Sequence, residues 1–556
     1  MGIPTYFRFL FQKFGKEIIK RDLNDDCDIL FFDFNSLIYK VYYEKEDESD
    51  LISRTYSEVM SIVETISPKK QIHIMMDGPC PQAKMKQQRS RRYKAIHLDA
   101  ILGKTKSFSP SNHICPGTEF MDRLCTFFKT KLKTKPNFFF SDSNSFGEGE
   151  HKIISSIRNM HSSNDKIIVM SPDNDLLSLL LLLGRSDIKL VRYMDMFTKL
   201  LLELDESEEG LIYIIMDTLK EKFKKEQCKL LEDDSLQEDN LLLDYNFLLS
   251  MIGNDFVPVL PYMRIKNGGL DKLLQLYRNV LKKKNGEYLI CRESYHINVD
   301  FFIEIVEGLS TNEEIEFRTL ASFLCREKIT PDTKFDQEEN LSPQKILENK
   351  INHMYLCNVN HPWYSQYKDS FETLRINRHQ SMTEFKSKYY HSFFQLQSNR
   401  DDIVREYLQS LQFTLLYYNR GCPSYVWEYP YQACPLFSDV LSYVKKQNDM
   451  NSVLTFSMGT MISPFEQLCM ILPPQSKHIL PKEFHILFQK YKMNYPTQFR
   501  LDVSGLKYIY CEADLPPLQY KKSFQHDIRK IERTLSPRDS MRNRIVKKND
   551  LKEKSL

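Results

Sequence analysis

Aspartates follow three short apolar segments in the N-terminal half of the chain. The segments, rich in β-branched and aromatic residues, are 28–34, 71–76 and 166–170. The aspartates at or just beyond their carboxyl ends are Asp33, Asp77, Asp173 and Asp175. If these segments are strands of an open α/β sheet, their carboxyl ends line one crevice and the four carboxylates converge there. Converging carboxylates repel one another unless cations lie between them.

Three further acids extend this pattern. Glu148 and Glu150 alternate with glycines in SFGEGEHK, where we expect a helix to begin near Glu150, and Asp255 lies in the apolar run MIGNDFVP. Any one of the seven acids alone is better explained as a helix cap or turn residue, but their coincidence favours a metal site. Oxygen ligands in this number predict Mg²⁺ or Mn²⁺ rather than zinc. Two such ions about 3.5–4 Å apart activate water and stabilise the leaving oxygen in phosphodiester hydrolysis.

Directly after Asp77, the sequence GPCPQAKMKQQRSRRYKA carries a set of basic and amide side chains at helical spacing. The set is Lys84, Gln88, Arg91 and Arg92, which share one face of a helix. Arginine offers a planar fork to phosphate oxygens and lysine a point charge, so the cluster suits a terminal 5′-monophosphate. The alternative is a solvated basic helix, which the position beside an expected metal ligand disfavours.

The order of elements predicts four regions. Residues 1–265 read as a mostly parallel α/β sheet with flanking helices, with 138–140 as a further strand. Residues 266–350 read as a variable helical connection, and 351–520 as a mainly helical second region interrupted by an aromatic, proline-rich segment at 420–435. The charged intervals 203–240 and 328–350 are expected to be surface insertions or linkers. Residues 521–556 form a basic tail.

Charge and cysteine usage limit the class of protein. The net charge is only +3, but from Lys521 onward lysine and arginine outnumber the acids by 12 to 5. The positive charge of that tail is equally consistent with binding to a polyanion and with a solvated terminus. The 12 cysteines include no CxxC pair, which disfavours a zinc module and disulfides and predicts an intracellular protein, cytoplasmic or alternatively nuclear. Uninterrupted apolar runs such as Leu179–Leu183 are far shorter than the ~20 residues of a membrane span.

Several strings resemble the XRN 5′→3′ exoribonucleases. In the N-terminal half they are MGIPTYFRFL, FFDFNSLIY, MMDGPCPQAKMKQQRSRRYK, GEGEHKI, SPDND and FLLSMIGNDFVPVLP. In the C-terminal half they are FKSKYY, YYNRGCPSYVWEYPYQACP and SPFEQLCMILPPQSKHILP. The resemblance spans residues 1–515, and AKMxQQRSRR and GEGEHK are its most specific motifs. It implies a sheet like that of PIN domains and flap nucleases, with a helical second region packed on it.

The resemblance also implies roles for individual residues. It assigns metal ligation to Asp33, Asp77, Glu148, Glu150, Asp173, Asp175 and Asp255. These residues would hold two Mg²⁺ ions, which Mn²⁺ can replace. Recognition of the 5′-phosphate falls to Lys84, Gln88, Arg91 and Arg92, in a pocket that would reject capped and triphosphate ends. Base stacking falls to an aromatic residue of the second region, for which Trp427 is the first choice and Tyr425 the second, with Tyr39 as a further stacking residue.

The implied activity is processive degradation of 5′-monophosphorylated single-stranded RNA to 5′-mononucleotides. The implied state is a monomer, with decapping or RNA-processing proteins as partners and no membrane. Four positions depart from the family pattern, namely Tyr39 for histidine, Phe146 for proline, Asn174 for a small residue and Tyr425 for tryptophan. They bear on rate and end preference rather than on the metal site. We expect a compact, divergent homologue of the kind carried by large DNA viruses, without the family's long C-terminal region.

Two other functions use the same residues. A structure-specific 5′ DNA nuclease of the flap type would share the acids and metals, but the sequence has no clear helix-hairpin-helix segment for binding duplex DNA. A nucleic-acid-binding scaffold without activity is the third possibility. Loss of activity usually removes a ligand, and all seven acids are present.

Overall fold

The structure is a computed structural model that describes most of the chain. The described residues are 3, 5–21, 26–43, 47–101, 108–161, 164–195, 198–199, 202, 204, 208–231, 235–284, 286–326, 374, 376, 379–394, 399–502 and 512–546. The predicted linker at 328–350 lies outside them.

A seven-stranded sheet forms the centre of the N-terminal region. Its strands are β1 (Ile19–Lys20), β2 (Ile29–Asp33), β3 (Gln71–Met75), β4 (Phe138–Ser141), β5 (Ile167–Met170), β6 (Ile188–Tyr193) and β7 (Leu211–Ile215). The spatial order is β1-β7-β6-β5-β2-β3-β4, in which β6, β5, β2, β3 and β4 run parallel and β7 and β1 form an antiparallel edge. The predicted mostly parallel α/β sheet is confirmed, with all four predicted strands.

Burial on both faces explains why the central strands read as continuous apolar runs. In β2, Phe31 packs into one hydrophobic core, whereas Leu30 and Phe32 pack into a second core on the opposite face. In the neighbouring β5, Val169 and Ile168 divide in the same way. Successive side chains of a strand point to opposite faces, so a sheet covered by helices on both sides needs apolar residues at every position.

Helices cover the sheet and build the second region. In the N-terminal half they are α1 (Tyr6–Phe14), α2 (Asn35–Val41), α3 (Glu48–Ile66), α4 (Met85–Ile101), α5 (Pro110–His113), α6 (Glu119–Leu132), α7 (Gly149–Arg158) and α8 (Asn174–Leu181). Beyond the sheet they are α9 (Met216–Leu231), α10 (Glu238–Met251), α11 (Gly269–Lys283), α12 (Val299–Arg326), α13 (Met382–Phe394), α14 (Arg400–Asn419), α15 (Phe437–Lys446), α16 (Pro464–Ile471), α17 (His485–Lys490), α18 (Lys522–Glu532) and α19 (Pro537–Arg542). The helical second region is confirmed.

The prediction that 203–240 is a surface insertion was wrong. Residues 211–215 form β7, which pairs with β6, and residues 216–231 form helix α9. Ile212 and Ile214 are fully buried in the sheet. The charged residues that dominated the composition lie on the outer face of α9, while Phe223 faces the core. An average over the interval therefore hid a buried strand and an amphipathic helix.

The N-terminal sheet region and the helical second region share one hydrophobic core. Helix α14 is buried along most of its length and packs against α10, and its residue Phe413 contacts Phe256 with ring centroids 5.4 Å apart. Arg158, at the end of α7, donates a hydrogen bond of 2.8 Å to the Tyr418 carbonyl oxygen. The end of α14 is thereby held against the helix that begins at the GEGE motif.

The basic C-terminal segment is folded through residue 546. Phe524 of α18 is fully buried, and Arg542 donates two hydrogen bonds, of 2.9 and 3.1 Å, to the Gly117 carbonyl oxygen. The Asn144 side chain donates to the carbonyl oxygens of Met541 and Arg544 at 3.0 and 2.8 Å. These contacts join residues 521–546 to the loop that precedes the GEGE motif. Within the described residues, none of the helices is both long enough and apolar enough to cross a membrane.

Candidate active site

The central strands bring the first aspartates together. Strand β2 lies between β5 and β3, so Asp33, at its end, has Asp77 on one side and Asp173 on the other. The Ser171 hydroxyl donates a hydrogen bond of 2.7 Å to Asp33 Oδ2 and accepts one of 3.0 Å from the Asp173 backbone N–H. A single buried hydroxyl therefore fixes the spacing between the carboxylate of β2 and the segment that follows β5.

Helix α7 begins at Gly149, one residue before the predicted start, and brings the two glutamates to this edge. The Gly149 N–H donates a hydrogen bond of 2.7 Å to Asp77 Oδ1. A Cβ atom at position 149 would lie 2.8 Å from Asp33 Oδ1 and 2.8 Å from the Met75 carbonyl oxygen. Only glycine therefore allows the start of α7 to approach both aspartates without displacing them. Glu148 and Glu150, on either side of Gly149, are positioned by this contact.

The remaining aspartates are held by backbone hydrogen bonds. Asp173 is the N-cap of α8 and accepts a hydrogen bond of 3.0 Å from the Asp175 N–H. Asp175 is buried, and its Oδ1 accepts a hydrogen bond of 2.8 Å from the Ile3 N–H. Asp255 follows α10 in a turn that the Asn254 side chain closes by accepting hydrogen bonds from the N–H groups of Phe256 and Val257, at 2.9 Å each.

The carboxylates lie within one another's electrostatic field. Burial, with repulsion from Asp77, raises the pKa of Asp33 to about 8. Burial, with repulsion from Asp173 and Asp255, raises the pKa of Asp175 to about 8. Burial and then the charge of Asp173 also raise the pKa of Glu150. The structure thus gathers the predicted acids into one buried cluster with an excess of negative charge.

Lysine 84 is the cation inside this acid cluster. Its Nζ lies 2.8 Å from Glu148 Oε1 and 2.5 Å from Asp255 Oδ2, and its side chain is only 6% exposed. Burial alone would raise the pKa of Asp255, but Lys84 and Arg91 outweigh it and hold that pKa at about 2. The pKa values of Asp33 and Asp175 nevertheless stay raised, because burial and repulsion from the neighbouring aspartates outweigh the nearby positive charge.

Polar atoms without partners in the cluster offer lone pairs to another ligand. Glu148 Oε2 and His151 Nε2 are buried and have no hydrogen-bond partner among the described residues. Ligand atoms of Glu148, Glu150 and His151 all lie within 4.8 Å of one another. The donor set is dominated by carboxylate oxygens, which fit a hard divalent cation such as Mg²⁺ or Mn²⁺. The seven predicted acids are the residues that would hold it.

Binding of a cation to this cluster is expected to release protons. Because the pKa values of Asp33 and Asp175 are raised to about 8, both carboxyls carry protons at neutral pH that must leave when a cation binds. We expect the affinity for Mg²⁺ to increase with pH from about 6 to about 9, and calorimetry in buffers of different ionisation enthalpy to detect proton release. An Asp33→Asn variant should release fewer protons. An affinity independent of pH, with no proton release, would contradict the assignment of a buried carboxylate site.

The basic cluster adjoins the acids along the first turns of α4. Gln88 donates to Cys80 Sγ at 3.2 Å, and Arg92 donates to the Gln88 carbonyl oxygen at 2.8 Å and to Cys115 Sγ at 3.2 Å. Arg91 lies 3.8 Å from Asp255 Oδ1, and its side chain is 36% exposed. The four residues run from the floor of the site, at Lys84, to its rim, at Arg91. Their role in phosphate recognition stays a prediction.

The candidate stacking residues occupy different environments. Tyr39 is 49% exposed. The Tyr425 ring meets Phe146, two residues before Glu148, edge to face with centroids 4.9 Å apart. Trp427 instead stacks on Phe413 at 4.8 Å within the core of the helical region. This geometry favours Tyr425 over Trp427, the first choice from sequence, as the stacking residue of the two.

Comparison with known proteins places this arrangement in a family. Residues 1–194 match the XRN 5′-3′ exonuclease N-terminus, and residues 235–382 and 366–551 match the Xrn1 helical domain. The chain belongs to the XRN family. Six of the seven acids of this XRN chain lie in the first matched region, and Asp255 lies in the second.

Similar proteins with curated names are 5′-3′ exoribonucleases. Exoribonuclease 1 of Saccharomyces cerevisiae is 24% identical over 682 residues, covering 98% of this chain and 44% of the relative. The human exoribonuclease 1 is 27% identical over 606 residues, covering 96% of this chain and 35% of the relative. Exoribonuclease 2 of Gallus gallus is 24% identical, covering 98% of this chain and 71% of the relative. The XRN chain therefore spans less than half the length of the first two relatives.

Sequence reasoning missed several residues that position the XRN acids. Ser171 immediately precedes the PDND string, and its hydroxyl links two ligand segments. Lys152, the last residue of GEGEHK, is half-buried, and its ammonium donates to the carbonyl oxygens of Met76 and Asp142 at 2.7 and 3.1 Å. Burial lowers the pKa of Lys152 to about 8. The presence of Ser171 and Lys152 inside specific motifs was the only hint of these roles in the sequence. The spacing of residues alone does not reveal a contact with the backbone.

Proposed function

We propose that this chain is a metal-dependent 5′→3′ exoribonuclease that degrades 5′-monophosphorylated single-stranded RNA processively to 5′-mononucleotides. The observation that carries the proposal is the direct contact between the acid cluster and the basic helix. Lys84, in the short 3₁₀ turn that leads into α4, pairs with Glu148 and Asp255, and Arg91 extends from α4 to the rim. A site that binds a terminal phosphate at one end and holds divalent cations at the other suits removal of the first nucleotide.

Different residues of the chain would bind the cations and the terminal phosphate. Bound divalent cations supply charge stabilisation and activate water for phosphodiester hydrolysis. The carboxylates hold those cations, and Ser171 and Gly149 fix the carboxylates at the strand ends. Arg91 offers a fork to the phosphate oxygens, and a terminal monophosphate attracts it more strongly than an internal phosphate because it carries more charge.

Aromatic side chains would hold the bases that follow the terminal phosphate. Tyr39 and Tyr425 offer exposed or partly exposed rings, and Phe146 supports the Tyr425 ring from its edge. Stacking tolerates any base, so it supports degradation without sequence preference. Stacking together with the phosphate contacts would draw each new 5′ end into place, which is the basis proposed for processivity.

Replacement of Arg91 by alanine is expected to weaken recognition of the phosphorylated end. Hydrogen bonds to charged groups contribute about 1.5–3 kcal/mol, so kcat/KM for RNA with a 5′-monophosphate should fall about 10- to 100-fold. RNA with a 5′-hydroxyl should be cleaved as slowly by Arg91→Ala as by the wild type. Arg91→Lys, which keeps the charge but loses the fork, should be intermediate. Equal slowing of both RNAs would show that Arg91 does not recognise the terminal phosphate.

A DNA substrate with a 5′ single-stranded flap separates this proposal from that of a flap-type DNA nuclease. The exonuclease releases mononucleotides from phosphorylated single-stranded RNA and leaves the flap junction uncut. Cleavage at the junction, with intact single-stranded RNA, would overturn the assignment. We also propose a reducing compartment, the cytoplasm, on the basis of a sequence with 12 cysteines and no CxxC pair.

A further inference from the structure

Two tyrosines of the helical region lie beside the acid cluster, and their buried hydroxyls have no hydrogen-bond partner among the described residues. Tyr417 and Tyr418, in the last turn of α14, are each 3% exposed. Their hydroxyl oxygens are buried, and among the described residues neither has a hydrogen-bond partner. A buried hydroxyl that makes no hydrogen bond costs free energy, so its presence needs an explanation.

The rings of these tyrosines pack beside the predicted metal ligands, with His151 in contact with both. The His151 ring stacks on Tyr417 with centroids 3.8 Å apart and lies 5.9 Å from the Tyr418 ring, and His151 Nε2 lies 3.6 Å from Glu150 Oε1. After burial, the charges of Asp175 and Glu150 are the largest causes that raise the pKa of Tyr418. The charges of Glu148 and Glu150 act on Tyr417 in the same direction.

Unpaired tyrosine hydroxyls occur elsewhere in the protein, so the absence of a partner is not sufficient by itself. Tyr6, Tyr93 and Tyr262 have buried hydroxyls of this kind. What distinguishes the α14 pair is that two further unpaired polar atoms, Glu148 Oε2 and His151 Nε2, belong to the same cluster. Four unpaired polar atoms on side chains that pack around one acidic centre are better explained by a polar ligand there than by four separate packing defects.

We propose that Tyr418, together with Tyr417, completes the metal centre by donating hydrogen bonds to the water molecules and carboxylates around a bound divalent cation. The inference rests on the metal centre of the proposed function. It makes the helical region a direct contributor to that centre, because both tyrosines come from α14 while six of the acids lie within the first 175 residues. Groups that orient metal ligands in this way typically change metal affinity about 10- to 100-fold when removed.

The test measures metal binding without RNA. Full-length wild type and Tyr418→Phe are compared for thermal unfolding in EDTA and for Mn²⁺ binding by calorimetry. Phenylalanine keeps the packing and removes only the unpaired hydroxyl, so the unfolding temperature in EDTA should stay the same or rise. The Kd for Mn²⁺ should increase about tenfold or more. Tyr407→Phe is the matched control, because Tyr407 is fully buried on the same helix beside Cys434, and it should leave the Kd unchanged.

The outcomes separate this inference from the proposed function. An unchanged Kd for Mn²⁺ in Tyr418→Phe, with a lower unfolding temperature in EDTA, would show a structural hydroxyl and overturn the inference alone. Wild-type protein that binds no Mn²⁺ would overturn the metal centre and the inference with it. If Tyr418→Phe does not fold, Tyr417→Phe is measured in the same way, and an unchanged Kd there overturns the inference.

Discussion

Replacing Asp173 and Asp175 together by asparagine is expected to reduce the rate of RNA cleavage by about three orders of magnitude or more, because charge stabilisation by bound metal ions contributes several kcal/mol. The fold should be retained. Asparagine keeps the side-chain oxygens that accept hydrogen bonds from the Asp175 N–H at 3.0 Å and from the Ile3 N–H at 2.8 Å. Removing two negative charges from a repelling cluster should also leave the unfolding temperature in EDTA unchanged or higher.

The measurement pairs single-turnover cleavage with an RNA-binding assay. Binding of 5′-monophosphorylated RNA should remain within about threefold of wild type, because Arg91 and the aromatic rings are untouched. Asp165→Asn is the matched control. It lies near the opposite end of β5, where its Oδ1 contacts Lys70 at 2.5 Å, and it should leave cleavage unchanged. A double variant that still cleaves RNA at the wild-type rate would show that these aspartates are not metal ligands.

Replacing Lys84 by methionine is expected to destabilise the metal-free protein by about 3–5 kcal/mol, because it removes one partner of a buried ionic network. The ammonium group lies 2.8 Å from Glu148 and 2.5 Å from Asp255, and both carboxylates would be left without their cation. Saturating Mg²⁺ should recover part of the loss by supplying positive charge to the same acids.

Urea unfolding in EDTA and in Mg²⁺ measures this effect. Lys84→Arg, which keeps the charge, should lose much less stability. Because Lys84 and Arg91 hold the pKa of Asp255 at about 2, its contribution is present above the unfolded pKa of about 3.9 and lost as the pH falls towards 2. The difference between wild type and Lys84→Met should therefore shrink as the pH approaches that range. A methionine variant as stable as wild type in EDTA would contradict the ionic role of Lys84.

The position of Lys84 connects phosphate recognition to metal binding. The resemblance assigns this residue to the 5′-phosphate, whereas in the structure its ammonium group pairs with two predicted metal ligands. A cation bound by Glu148 and Asp255 would neutralise part of their charge and weaken their pairing with Lys84. The Lys84 ammonium group would then be available to an entering phosphate. The shared lysine therefore offers a physical reason for the two clusters to lie in contact.

The sequence predicts the sheet and its acidic edge because both depend on local pattern. Apolar runs such as 28–34 and 166–170 are long enough to identify buried strands, and each has an aspartate within three residues of its carboxyl end. Parallel strands place those ends at one edge of the sheet whatever the intervening helices do. Strand β7 was missed because the charged outer face of α9 dominated the composition of its interval.

The burial of individual side chains and their long-range contacts could not be predicted from the spacing of residues in the sequence. Helical periodicity places Lys84 and Arg91 on one face, but it does not show that Lys84 is 6% exposed and Arg91 36% exposed. In the same way, Trp427 and Tyr425 are two residues apart, and only the packing of Phe413 and Phe146 distinguishes them. The tyrosines of α14 read as ordinary core residues until the unpaired hydroxyls are located in three dimensions.

The most direct test of the proposed activity uses purified protein, Mg²⁺ and one end-labelled single-stranded RNA prepared with either a 5′-monophosphate or a 5′-triphosphate. We predict rapid release of 5′-mononucleotides from the monophosphate form and none from the triphosphate form. Internal fragments from both forms, or no cleavage with either Mg²⁺ or Mn²⁺, would contradict the assignment of a 5′→3′ exoribonuclease.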